Sequence, residues 1–176
     1  KILKLMNRKH TINDYLKIYE NLKKINSKIE FSSDFIIGYP GETNNDFNDT
    51  VNLIKKIKFI NSFSFIFSPR PGTKAAEYDL IDNDISKERL KVIQQLLFSH
   101  QLDNNKLLNG TNGEVLIENK MKDQNKLFGR NKYLNSVIIE NNENFVGKLV
   151  NVIIDSYNQN TYFDLLLYIV GNYYLY

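Results

Sequence analysis

The 176-residue chain contains no cysteine. That excludes a disulfide framework and any zinc or iron–sulfur site whose ligands come from these residues alone. Histidine is nearly absent too, with only His10 and His100, so a histidine-built metal site is not expected. There is no tryptophan, and the three prolines, Pro40, Pro69 and Pro71, fall in two short segments. No apolar run reaches the roughly 20 residues that span a bilayer. The most apolar stretch, Leu165 to Val170, is far too short, so no membrane partner is expected. No basic-then-apolar leader follows Lys1, and the cytoplasm, or an organelle matrix, is the expected location. The net charge of +3 permits a nucleic-acid partner without arguing for one.

What is present is enough for a packed core: 42% of residues are hydrophobic. Heavy use of Asn, Lys and Ile reads as the codon bias of an AT-rich genome. Tyr15, Ile18, Tyr19, Leu22 and Ile25 recur at helical spacing, which predicts an amphipathic helix over about residues 13–26, with Thr11 or Asn13 as its cap. Ile29 to Phe31 and then Asp34 to Gly38 form a β-branched and aromatic run that predicts a buried strand. Thr43 and Asp46 have capping-box spacing before a second helix marked by Phe47, Val51, Ile54 and Ile57. Phe63, Phe65 and Phe67 alternate with serines, the period of a strand. Ser86 is placed to cap a long helix through Leu90, Ile93 and Leu97 to about Leu108. Alternating helix and strand predicts an α/β fold with a parallel sheet.

The pattern changes at Asn109-Gly110-Thr111-Asn112-Gly113, a cluster of turn formers. Beyond it lie five short strand-like runs: 114–118, about 126–130, 136–140, 148–154 and 162–167. They predict a small β-barrel of OB-like or SH3-like size. The expected division is therefore 1–109 and 110–176.

Two segments carry the chemistry. In Asp34-Phe35-Ile36-Ile37-Gly38-Tyr39-Pro40-Gly41-Glu42-Thr43 an apolar strand ends in glycine. Ligands bind at the C-terminal ends of parallel strands, and a glycine there lets an adenine ring lie against the backbone. An ordinary strand-to-helix turn would read the same way. Ser68-Pro69-Arg70-Pro71-Gly72-Thr73 ends the next strand. Its prolines stiffen the backbone around Arg70 and ready it to meet an anion; a rigid solvent loop is the alternative. In the second half, Lys120, Lys122, Lys126, Arg130 and Lys132 with Phe128 and Tyr133 suit single-stranded RNA. Glu114, Glu118, Asp123, Glu140, Glu143, Asp155 and Asp164 offset that charge, and a solvated surface is the alternative.

Taken together the segments resemble MiaB-type radical-SAM tRNA methylthiotransferases. The first is similar to their "D-I-I-V-G-F-P-G-E-T" strand and the second to their "Y-S-P-R-P-G-T" strand end. Leu5-Met6-Asn7-Arg8-Lys9-His10-Thr11 resembles their "M-x-R-x-Y-T" run. Phe128-Gly129-Arg130 and Val146-Gly147-Lys148-Leu149-Val150 resemble their closing TRAM domain. The likeness reaches about residue 164 and keeps family order. Lys74 replaces a usual proline, Asp164 falls near a usual glycine, and the tail 165–176 has no counterpart.

The resemblance implies the C-terminal part of a radical-SAM (βα)6 partial barrel over 1–109, followed by a small all-β TRAM, OB-like barrel over 110–176. It implies a transferase that inserts a methylthio group into isopentenyl-adenosine beside the tRNA anticodon. S-adenosylmethionine and two 4Fe-4S clusters would be the cofactors of the full enzyme, with the cluster cysteines upstream of Lys1, an electron donor and tRNA as partners, and a monomeric state. The chain by itself should be inactive. Ile36, Gly38, Phe67, Ser68 and Arg8 are implied at S-adenosylmethionine. Arg70, Lys120, Lys122, Lys126, Phe128, Arg130, Lys132 and Lys148 are implied at RNA. Glu42 reads as a first-turn acid of the helix rather than a catalyst. The "S-P-R-P-G-T" form favours the tRNA enzymes over relatives acting on a ribosomal protein. Three other readings remain: methylthiolation of threonylcarbamoyl-adenosine, a non-catalytic RNA-binding module on a half-barrel scaffold, and a phosphate-binding α/β domain of unrelated function.

Overall fold

The structure is a computed structural model that describes residues 1–122, 125–140, 145–158 and 161–168. Asp123, Glu143 and residues 169–176 of the tail lie outside them. The chain divides into two compact units, Lys1–His100 and Gln101–Tyr176.

In the first unit a short helix, α1 (Ile2–Leu5), precedes α2 (Ile12–Ile25), β1 (Asp34–Ile37), α3 (Asn44–Ile57) and β2 (Phe63–Ile66). A 3-10 turn (Lys74–Glu77) leads to α4 (Asn83–Leu108), which runs on into the second unit. The predicted Thr43–Asp46 capping box forms, and Thr11, one of the two expected caps of α2, forms a second one. Thr11 and Asp14 exchange bonds at the start of α2, and Thr43 and Asp46 do so at α3, satisfying N–H groups that a helix start leaves without partners. The capping bonds also hold the Asp14 and Asp46 carboxyls below the ordinary aspartate range. Ile29 to Phe31 does not join the sheet; β1 begins at Asp34. The two strands are parallel, with Ile36 opposite Phe65 and Ile37 opposite Ile66. The α3 crossover is what a parallel pair requires.

Helices cover one face of this sheet. Phe35 and Ile37 pack there with Ile54 and Ile57 of α3, Phe59, and Ile93 and Leu97 of α4. Each fully buried isoleucine is worth about 1.5–3 kcal/mol. Ser86 does not cap α4. The Asp82 carboxylate accepts from the N–H groups of Asp84 and Ile85 at 2.8 and 3.1 Å, leaving Ser86 buried one turn in. An acidic side chain so placed both satisfies the N–H groups and meets the positive end of the helix dipole.

The second unit is a closed barrel of β3 (Asn112–Lys120), β4 (Lys126–Asn131), β5 (Ser136–Glu140), β6 (Leu149–Tyr157) and β7 (Thr161–Tyr168). The spatial order is β3-β4-β5-β7-β6, returning to β3, and only β5 and β7 pair parallel. Closure leaves no free sheet edge. Alternate residues fill the interior: Val115 and Ile117, Leu127, Val137 and Ile139, and Val150, Val152 and Ile154, with Phe145. A bulge lies between Ile117 and Asn119. There β3 crosses so close to Gly129 that a Cβ would strike the Leu116 carbonyl oxygen and the Val115 side chain.

Candidate functional site

The loop after β1 is held by a buried ion pair. Arg89 of α4 donates from Nη1 to the Glu42 carboxylate at 2.6 Å, and the two side chains are only 9% and 6% exposed. The same Nη1 donates to the Glu42 carbonyl at 3.3 Å, and Nη2 donates to Asn44 Oδ1 at 2.7 Å. The other Glu42 oxygen accepts from the Gly38 N–H at 3.2 Å. The guanidinium also lies 5.4 Å from the Phe47 ring centroid. Burial pushes the Glu42 carboxyl above its ordinary range, against the opposing pull of Arg89 and the Gly38 N–H. Glu42 is therefore not a first-turn acid. The helix begins two residues later, and Asp46 takes that place.

Gly38 adopts φ +74°, a left-handed conformation that favours glycine. The direction a Cβ would take is filled by Ser86 Oγ at 2.5 Å, so the missing side chain admits α4. The loop is also bounded by the N-terminal segment. Lys1 Nζ donates to the Gly41 carbonyl at 2.7 Å, the Tyr39 hydroxyl donates to the Leu5 carbonyl at 3.0 Å, and Leu5 touches the Cβ position of Gly41. Phe67 stacks edge-on against Tyr39 with ring centroids 4.9 Å apart, and its N–H donates to Ile37. Gly38 and Phe67 thus directly follow the ends of the two strands, and Ile36 lies next to the last residue of β1. Ser68 is exposed beside them. Arg8 and Arg70 are exposed, and neither side chain makes a hydrogen bond or ion pair among the described residues. The Thr73 hydroxyl donates to the Arg70 carbonyl at 2.8 Å and fixes that turn.

The second face of the β1–β2 sheet is open and apolar. Phe63 is 63% exposed and Phe65 54%, their rings stacked 6.5 Å apart, and Ile36 lies opposite Phe65. Alternation in 63–67 marked a strand correctly, yet Phe63 and Phe65 point away from the helices while Ser64 and Ile66 face them. Tyr39, Phe63, Phe65 and Arg89 were absent from the expected site. Arg89 had a signal: helical spacing places it on the stripe of Ser86, Ile93 and Leu97, where a charge needs a partner.

On the barrel, Lys126, Phe128 and Arg130 share the outer face of β4, because Leu127, Gly129 and Asn131 point inward. Arg130 lies 5.4 Å from the Phe128 ring and donates twice to Glu118 at 2.8 and 2.7 Å. Lys126 pairs with Glu140 at 3.8 Å. Lys132 sits over Tyr133 at 5.1 Å and Lys148 over Phe145 at 5.8 Å. Lys120 and Lys122 are exposed at the end of β3 and just beyond it. The basic cluster is thus two surfaces: a charge-compensated face on β4, and exposed lysines around it. Among the described residues, no group of three or more His, Asp or Glu could hold a metal ion, and no helix is long and apolar enough to cross a membrane.

The Radical SAM superfamily profile matches residues 1–54. A tRNA-2-methylthio-N(6)-dimethylallyladenosine synthase of Pelagibacter ubique is 60% identical over 166 residues, covering 94% of this chain and 37% of the relative. Synthases of the same name from Wolbachia pipientis subsp. Culex pipiens and Zymomonas mobilis are 43% and 46% identical, covering 92% and 80% of this chain. Over nearly its whole length the chain is homologous to part of these synthases. It spans about a third of the length of these relatives.

Proposed function

We propose that this chain is the part of a tRNA methylthiotransferase that borders the S-adenosylmethionine pocket and carries an RNA-binding barrel. The substrate of the full enzyme is isopentenyl-adenosine beside the anticodon, which becomes methylthiolated. On this reading 1–109 is the C-terminal part of a radical-SAM partial barrel and 110–176 is a TRAM domain. The observation that carries the reading is the junction of Ile36, Gly38 and Phe67 at the strand ends, beside the open face of Ile36, Phe63 and Phe65.

These residues fit the cofactor. An adenine ring is flat and apolar on its faces, and Ile36 offers an accessible apolar side chain next to backbone. When bound to a reduced iron–sulfur cluster, S-adenosylmethionine supplies hydrogen-abstracting radical chemistry. No cysteine of this chain can hold such a cluster; its 4Fe-4S ligands, two clusters in all, belong to other residues of the full enzyme. The residues here bind and orient. Ile36, Gly38 and Phe67 bound the adenosine, Ser68 lines the same rim, and Arg8 offers a charge for the carboxylate. Arg70, without a side-chain partner among the described residues and stiffened by two prolines, meets phosphate.

On the barrel, Phe128 supplies a stacking surface and Arg130, Lys120, Lys122, Lys126, Lys132 and Lys148 supply phosphate contacts. The strand order, with one parallel pair between the third and fifth strands, supports an OB-like assignment. A cytoplasmic monomer served by an electron donor completes the proposal.

A chimera tests it. This chain replaces the matching segment of the Pelagibacter relative in cells lacking their own methylthiotransferase, and tRNA nucleosides are analysed by mass spectrometry. Formation of 2-methylthio-isopentenyl-adenosine is expected. A folded chimera that yields none, while the intact relative restores the product, refutes the reading; a threonylcarbamoyl product would move it to the other branch.

A further inference from the structure

We infer that Arg89 is a positioning residue that sets the height of the loop 38–44 beneath the cofactor. The inference rests on the reading above that this loop borders S-adenosylmethionine. Two charges are buried here, although packed apolar side chains of similar volume commonly hold a helix in place as well or better. What the pair adds is direction. One guanidinium reaches the Glu42 carboxylate, the Glu42 carbonyl and Asn44 Oδ1, and the carboxylate reaches back to the Gly38 N–H. Both ends of the loop are thereby tied to one planar group on α4.

A second contact acts from the same helix face. Ser86, one turn before Arg89, fills the Cβ direction of Gly38 at 2.5 Å, and it can do so only because Gly38 has no side chain and adopts φ +74°. Ser86 props the start of the loop while Arg89 ties its end. Ile36 stands two residues before Gly38 on the open face, so its position against a bound ring follows from both. Arg89 touches no ligand in this scheme and acts through Glu42 and Gly38.

The test uses the longest native polypeptide that carries this chain, with S-adenosylhomocysteine as the probe in calorimetry. Glu42→Met with Arg89→Leu replaces the pair by apolar groups of similar size, and should keep the wild-type unfolding midpoint within a few degrees. Its affinity should fall by about tenfold or more, and amides 38–44 should exchange faster while those of the barrel do not change. Arg89→Lys keeps the charge but loses the fork, so its affinity should lie between the two. A folded double variant that binds as tightly as wild type overturns the inference alone. A wild-type protein that binds no probe overturns the proposed function and the inference with it. Should the double variant not fold, Arg89→Lys decides: unchanged affinity refutes the positioning role, and weakened affinity at a wild-type unfolding midpoint supports it.

Discussion

Gly38→Ala tests the packing beneath the loop most directly. Two costs follow from the structure. At φ +74° an alanine Cβ crowds its own carbonyl, which costs about 1–2 kcal/mol. The same Cβ would stand 2.5 Å from Ser86 Oγ and 3.1 Å from Ser86 Cβ, and overpacking of this kind costs about 1–3 kcal/mol. Alanine offsets part of this by restricting the unfolded chain, by about 0.4–1 kcal/mol. The net destabilisation should be about 1.5–4 kcal/mol. Urea unfolding followed by circular dichroism measures it, with the fit allowing two transitions because the chain forms two compact units. Ser86→Ala removes the nearer atom. In the double variant the penalty should shrink by about 1 kcal/mol beyond additivity, within the usual range for residues in contact. The reasoning fails if Gly38→Ala stays within about 0.5 kcal/mol of wild type, or if the two substitutions simply add.

Three further outcomes are expected. Asp46 is depressed below its ordinary value of 3.8, chiefly by the Thr43 hydroxyl and then the Thr43 N–H; its contribution is complete above that value and is lost as pH falls through the lower folded one. Wild type should therefore lose stability on acidification below about pH 4 more steeply than Asp46→Asn, and parallel slopes would refute this. Gly129→Ala should lower barrel stability by about 1–3 kcal/mol, because its Cβ meets the Leu116 carbonyl oxygen, which a strand cannot readily move; an unchanged unfolding midpoint would be the contrary result. Against an anticodon stem-loop RNA, Phe128→Ala should weaken binding by about 1–3 kcal/mol with the salt dependence intact. Lys132→Ala should instead flatten the salt dependence by nearly one counterion, by about 0.7–0.9 in logarithmic slope. Fluorescence anisotropy at several salt concentrations separates the two, and indifference of both variants would remove the RNA face from β4 and its flanking turn.

Much of the local structure was legible because its causes lie within a few residues. Thr11 with Asp14 and Thr43 with Asp46 fix helix starts through bonds that span three positions. The short runs 114–118, 126–130, 136–140, 148–154 and 162–167 between turn formers marked the barrel strands. The paired motifs around Gly38 and Arg70 carry the family resemblance within short stretches of sequence. Other features depend on partners far along the chain. Glu42 looked like a helix-start acid until Arg89, 47 residues away, was found buried against it. Ser86 looked like a cap, yet Asp82 takes that role because its carboxylate reaches two N–H groups. The alternation of Phe63 and Phe65 is visible in sequence, but which face the helices cover is a property of the packed sheet. The basic run on β4 read as a cluster, although Glu118 and Glu140 from neighbouring strands neutralise part of it. Sequence by itself determined most of the elements, the strands of the barrel and the family resemblance, since short-range hydrogen bonds, hydrophobic periods and local motifs encode them. Only the tertiary structure decided which charges are paired, which glycine admits a neighbour and which apolar face stays open, because those depend on what chain folding brings across tens of residues.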